Sequence, residues 1–142
     1  MSRILVVYWS GTGNTEKMAE LITEGAKEKG AEVDCKTISD VTVDDALGYD
    51  IIAIGSPSMG QEVLEEGEIE PFVEELGGKI KDRKVAIFGS YGWGDGEWMR
   101  NWAERMHGYG ANLLDDGLMV NETPDDDDVD NCKNYGAKLA AF

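Results

Sequence analysis

Ile4-Leu5-Val6-Val7-Tyr8-Trp9-Ser10-Gly11-Thr12-Gly13-Asn14-Thr15 passes from an unbroken apolar run into a loop of hydroxyls, glycines and one amide. Just beyond it, Met18, Ile22 and Ala26 recur every four residues, which puts them on one face of a helix. An apolar run without alternation is the pattern of a strand covered on both faces, so strand, loop and helix in this order open a parallel α/β unit.

The same succession repeats outward from this stretch. Further strand-like runs stand at Ile51 to Gly55, Val85 to Ser90 and Leu118 to Val120, with a less regular one at Glu32 to Ile38. Helical spacing appears in Phe72, Val73 and Leu76 after Pro71, then in Trp98, Met99, Trp102 and Met106, and last in Tyr135, Leu139 and Phe142. The reading is one α/β domain over residues 1–142, a three-layer, doubly wound sandwich with a five-stranded parallel sheet and helices on both faces. Ligands of such sheets lie beyond the carboxyl ends of the strands, which singles out the loops after strands one, three and four.

Composition narrows the function. The chain has 142 residues and a formal charge of -16, from 29 acidic against 13 basic residues. That balance argues against nucleic acid and anionic membrane surfaces and favours basic partners. No apolar run is long enough to span a bilayer, and nothing after Met1-Ser2-Arg3 resembles a cleavage site, so the expected compartment is the cytoplasm. Cys35 and Cys132 are far apart and have only His107 to complement them, which predicts reduced thiols and no metal site. The run Asp125 to Asp128 fits an acidic first turn of the last helix. Lys17 and His107 read as solvated helix residues.

In the loop after strand one, glycines permit tight turning, and free amides at a helix start carry partial positive charge. Such a loop can surround an anion. Two familiar phosphate loops fail on spacing: no Gly-Lys pair follows Gly11, and Glu16 stands where a dinucleotide fingerprint needs its third glycine. The same residues also fit a polar turn in which Asn14 or Ser10 caps the helix. After strand three comes Ser56-Pro57-Ser58-Met59-Gly60-Gln61-Glu62, where the methionine also fits a core filler. After strand four comes Ser90-Tyr91-Gly92-Trp93-Gly94-Asp95-Gly96, whose tryptophan fits either a flat ligand stacked on it or a ring folded back on the following helix.

Taken together, these three loops resemble those of short-chain, clostridial-type flavodoxins, in the same order and spacing. The resemblance covers nearly the whole chain and implies the flavodoxin-like strand order 2-1-3-4-5 and one non-covalently bound flavin mononucleotide (FMN). It implies that Ser10, Gly11, Thr12, Gly13, Asn14 and Thr15 bind the phosphate. Met59 would pack on the inner ring face, and the peptide of Gly60 would turn over when the flavin gains its first electron. Glu62 would bond the ring at N3, with Ser56, Pro57, Ser58 and Gln61 completing that loop. Trp93 would stack on the outer face, with Ser90, Tyr91, Gly92, Gly94 and Asp95 beside it. Gln61 stands where the most similar clostridial members carry aspartate, so their first-electron potential does not transfer to this chain.

The implied function is a low-potential one-electron carrier, not an enzyme, working mainly between semiquinone and hydroquinone. Glu62, Glu65, Glu66 and Asp95 are expected beside the ring, where they would oppose further negative charge. Its partners would be redox proteins with basic docking surfaces, met transiently by a monomer. The alternative, a flavodoxin-like NAD(P)H:quinone reductase, meets no basic nucleotide site in the sequence. A signalling receiver of the same layout would need acidic residues where Trp9-Ser10 and Gly55-Ser56 stand.

Overall fold

The computed structural model describes residues 3–60 and 62–142. Strand β1 (Arg3–Tyr8) lies between β2 (Glu32–Thr37) and β3 (Ile51–Gly55), and β3 pairs in turn with β4 (Lys84–Tyr91). All pairings are parallel, and the strand order is β2-β1-β3-β4-β5, as expected. The fifth position differs in one respect. It is filled by two pieces, β5 (Asn112–Leu113) against the start of β4 and β6 (Leu118–Asn121) against its end. Between them Asp115 and Gly117 adopt positive φ, 53° and 99°, which is incompatible with extended chain.

Alternation along the strands assigns the two faces. Ile4, Val6 and Tyr8 of β1 pack with Met18 and Ile22 of α1 (Asn14–Glu28) and with Leu139 of α5 (Asp126–Ala141). Leu5 and Val7 point the other way, to the core holding Ala46 of α2 (Val43–Ala46), Phe72 and Leu76 of α3 (Ile69–Gly77), and Trp98 and Trp102 of α4 (Glu97–Gly108). The central strands β1, β3 and β4 are buried on both faces, which explains their unbroken apolar runs, whereas β2 at the sheet edge is mostly exposed. Helix α2 had no signal in periodicity, since four residues are too few. Its start is fixed by a capping box between Thr42 and Asp45.

Helices α1 and α5 approach closely through glycines. A Cβ on Gly136 would lie 2.0 Å from the Ile22 carbonyl oxygen, and one on Gly25 would lie 2.1 Å from that of Lys133. This contact seats the first helix, and with it the loop at its start. Among the described residues no helix is long and apolar enough to cross a membrane. Cys35 is exposed and Cys132 buried, both as free thiols.

Candidate functional site

Three loops leave the sheet at one end as continuations of its hydrogen bonding. The Trp9 N–H donates to the Gly55 carbonyl at 3.1 Å, Ser56 N–H to Phe88 at 3.0 Å, and Ser58 N–H to Ser90 at 2.9 Å. They surround a cleft of about 260 Å³ lined by Ser10, Gly11, Thr12, Asn14, Pro57, Ser58, Met59, Ser90, Tyr91 and Gly92, with Trp9 and Glu122 added. Ten of the nineteen candidate residues therefore converge on one cavity beyond the strand ends. Gly13, Thr15, Ser56, Gly60, Glu62, Trp93, Gly94 and Asp95 do not line it, and Gln61 lies outside the described residues.

The loop after β1 is shaped around the start of α1. Gly13 takes φ 95° at the N-cap, and its N–H donates to Ser10 Oγ at 3.1 Å. A helix start leaves four N–H groups without helical acceptors. Those of Asn14, Thr15 and Glu16 find no protein acceptor among the described residues. The other long helices are finished differently. Glu65 caps α3, receiving bonds from Gly67, Glu68 and Ile69 N–H at 2.7, 2.8 and 2.9 Å. Glu62 receives Glu97 N–H at 3.1 Å at the start of α4, and α5 carries a capping box of Asp125 and Asp128. Only α1, among the described residues, opens on the cleft with its first-turn donors free of a side-chain cap, which suits an anionic ligand.

The loop after β3 closes tightly. Met59 and Val63 exchange backbone hydrogen bonds of 2.8 and 3.0 Å, with Gly60 at φ 49° and Glu62 at φ 55° between them. Met59 and Val63 remain exposed despite being apolar. Ser56, fully buried, donates its hydroxyl to the Pro57 carbonyl and accepts Glu65 N–H, so it braces the loop from inside. Glu65 was expected beside a ligand and is instead buried and committed to α3.

In the loop after β4, Trp93 is 62% exposed, so it is not buried against α4. Trp98 and Trp102 are the core tryptophans of α4. Glu62 reaches this loop: a Cβ on Gly94, where φ is 86°, would lie 2.4 Å from its Oε1. The Asp95 carboxylate accepts from Arg100 Nη2 at 2.9 Å, and that guanidinium holds it below the usual carboxylate range. Trp9 and Glu122 were not among the candidates. Trp9 packs over the loop, where a Cβ on Gly11 would come 3.0 Å from its ring. Glu122 follows β6, and its position past a strand end was the available signal.

The model of the family described as flavodoxin matches residues 6–136. The chain is 54% identical over 135 residues to a flavodoxin of Clostridium beijerinckii, covering 95% of this chain and 97% of that one. It is 46% identical over 135 residues to a flavodoxin of Megasphaera elsdenii, covering 95% and 96%. Its fold superposes on the solution structure of two-electron reduced Megasphaera elsdenii flavodoxin with a TM-score of 0.89, 45% identity and coverage of 98% and 99%. An archaeal flavodoxin structure matches with a TM-score of 0.88, 32% identity and coverage of 98% and 96%.

Proposed function

The chain belongs to the flavodoxin family of FMN-binding electron carriers, and from that premise we propose that it is a low-potential one-electron carrier cycling mainly between semiquinone and hydroquinone. The observation that supports the site most directly is the start of α1, where three backbone N–H groups have no protein acceptor among the described residues while other helices are capped by carboxylates. An anion belongs there, and the loop offers hydroxyls and amides in place of basic side chains. The phosphate would be held by Ser10, Gly11, Thr12, Gly13, Asn14 and Thr15. Exposed Met59 and Trp93 would cover the two faces of the ring, recovering apolar area that each now leaves in water. FMN supplies the one-electron chemistry; the protein supplies position and field.

That field is negative. The protein carries a formal charge of -16, and Glu62, Asp95 and Glu122 belong to the loops around the cleft. A further negative charge there is opposed by these carboxylates, which lowers the potential of the last electron. Gly60 sits in the left-handed region, where glycine alone changes backbone state at little cost. The same acidic surface would dock redox proteins with basic faces transiently, with the monomer acting as one cytoplasmic domain.

Stepwise dithionite reduction, followed in the visible, tests the reading. A yellow protein that turns blue before bleaching supports it. Direct passage to the fully reduced form would remove the one-electron role, and a colourless protein that refuses added FMN would remove the site.

A further inference from the structure

We propose that Asn121–Thr123 is a clasp joining the two sides of the cleft, with Thr123 a positioning residue that sets the Asn14 amide for the phosphate; this rests on the FMN reading above.

The observation is a contact across 109 residues of sequence. Thr123 Oγ1 donates to Asn14 Oδ1 at 3.1 Å, at the first residue of α1. The two residues before it reach the opposite loop: Glu122 N–H donates to the Tyr91 carbonyl at 2.8 Å, and Asn121 Nδ2 donates to the same oxygen at 3.3 Å. Three consecutive residues thus bind the loop after β1 and the end of β4. The segment is itself held on both sides. β6 pairs with β4 as far as Asn121, and beyond Thr123 come Pro124, with its restricted φ, and the capping box that starts α5.

The chemistry explains why a hydroxyl at this place matters. A phosphate dianion only accepts hydrogen bonds, whereas the Asn14 side chain carries both an acceptor oxygen and a donor nitrogen. A cleft-lining amide could therefore present either end. The Thr123 hydroxyl occupies Oδ1, and Nδ2, which donates to no group among the described residues, is left for the anion. Without that hydroxyl the amide is free to turn its oxygen toward the phosphate. Thr123 is exposed, so replacing it with valine removes the donor and little else.

Binding of FMN and of riboflavin, which lacks the phosphate, is measured on the apoprotein of wild type, Thr123→Val and Thr123→Ser. Thr123→Val should weaken FMN about threefold to tenfold, the range of one hydrogen bond. Riboflavin binding should be unchanged, and Thr123→Ser should restore FMN. In an Asn14→Ala background, Thr123→Val should have no further effect on FMN. Unchanged FMN affinity, an equal loss for both flavins, or an effect that survives without Asn14 would overturn the proposal. Failure of the FMN reading is seen separately, as wild-type apoprotein that does not take FMN, and it would remove both.

Discussion

Thr15 Oγ1 and Ser90 Oγ lie 3.0 Å apart in the interior, 75 residues apart in sequence. Both side chains are buried, so each hydroxyl has exchanged water for the other. The bond ties the second residue of α1 to the penultimate residue of β4, and so fixes one binding loop against another. Thr15→Val keeps the shape and strands the Ser90 hydroxyl, which should cost about 1–3 kcal/mol of stability by urea denaturation. The double variant Thr15→Val with Ser90→Ala should recover much of that loss, because no buried polar group is then left alone. Additive losses would show that the two hydroxyls are not coupled.

Gly60 lies at φ 49° in open space, where an added Cβ would meet nothing within 4 Å. Alanine is therefore disfavoured by backbone conformation alone, by about 1–2 kcal/mol in this region. Gly60→Ala should shift the loop's balance between peptide orientations and lower the yield of the blue one-electron form during reduction. Gly60→Asn should fall between alanine and wild type, because asparagine tolerates left-handed backbone. An unchanged yield in both variants would take this peptide out of the redox mechanism.

The layers were legible because burial on both faces leaves apolar runs, and Ile4 to Tyr8 needs no tertiary information to be read that way, whereas the strand order came from the family resemblance. The cleft was legible for a similar reason: loops at the carboxyl ends of parallel strands must meet. The rest had weaker signals. Glu65 caps α3 through N–H groups only two to four residues on, but glutamate is not among the residue types favoured as caps, so its sequence reads equally as a surface charge. The split of the fifth strand hinges on positive φ at Asp115, a residue type that gives only a weak bias. Glu122 and Thr123 carry no motif of their own, and only their place beyond the end of β6, together with the long-range contact of Thr123 to Asn14, brings them to the cleft.

The two cysteines should behave oppositely. Cys35 is exposed, so a thiol reagent should titrate one group in the native protein and a second only on unfolding. For Cys132, burial, aided by the nearby Asp128 charge, pushes the thiol from its ordinary 9.0 up to about 12. The folded thiol keeps its proton where the unfolded one loses it. This contribution is therefore fully present below pH 9.0 and is lost as pH rises toward about 12. Wild type should lose stability with rising pH in that window more steeply than Cys132→Ala, by up to about 1.4 kcal/mol per pH unit. Parallel pH profiles would mean that the buried thiol does not ionise on unfolding.

Trp93 separates what holds the fold from what holds the ligand. It is 62% exposed, while Trp98 and Trp102 are each 2% exposed in the core of α4. Its loop takes its place from other groups: Gly94 at φ 86°, Glu62 against that glycine, and the Arg100 contacts to Asp95. Removing the indole therefore deletes little buried area, and the apoprotein of Trp93→Ala should unfold within about 0.5 kcal/mol of wild type. If the ring stacks on FMN, the same variant gives up both the area covered on binding and the aromatic contact. Its Kd should rise about tenfold or more, and Trp93→Phe should recover part of the loss. A fall in apoprotein stability with undiminished affinity would place the indole in the fold instead of the site, because an exposed side chain affects binding alone only when the ligand covers it.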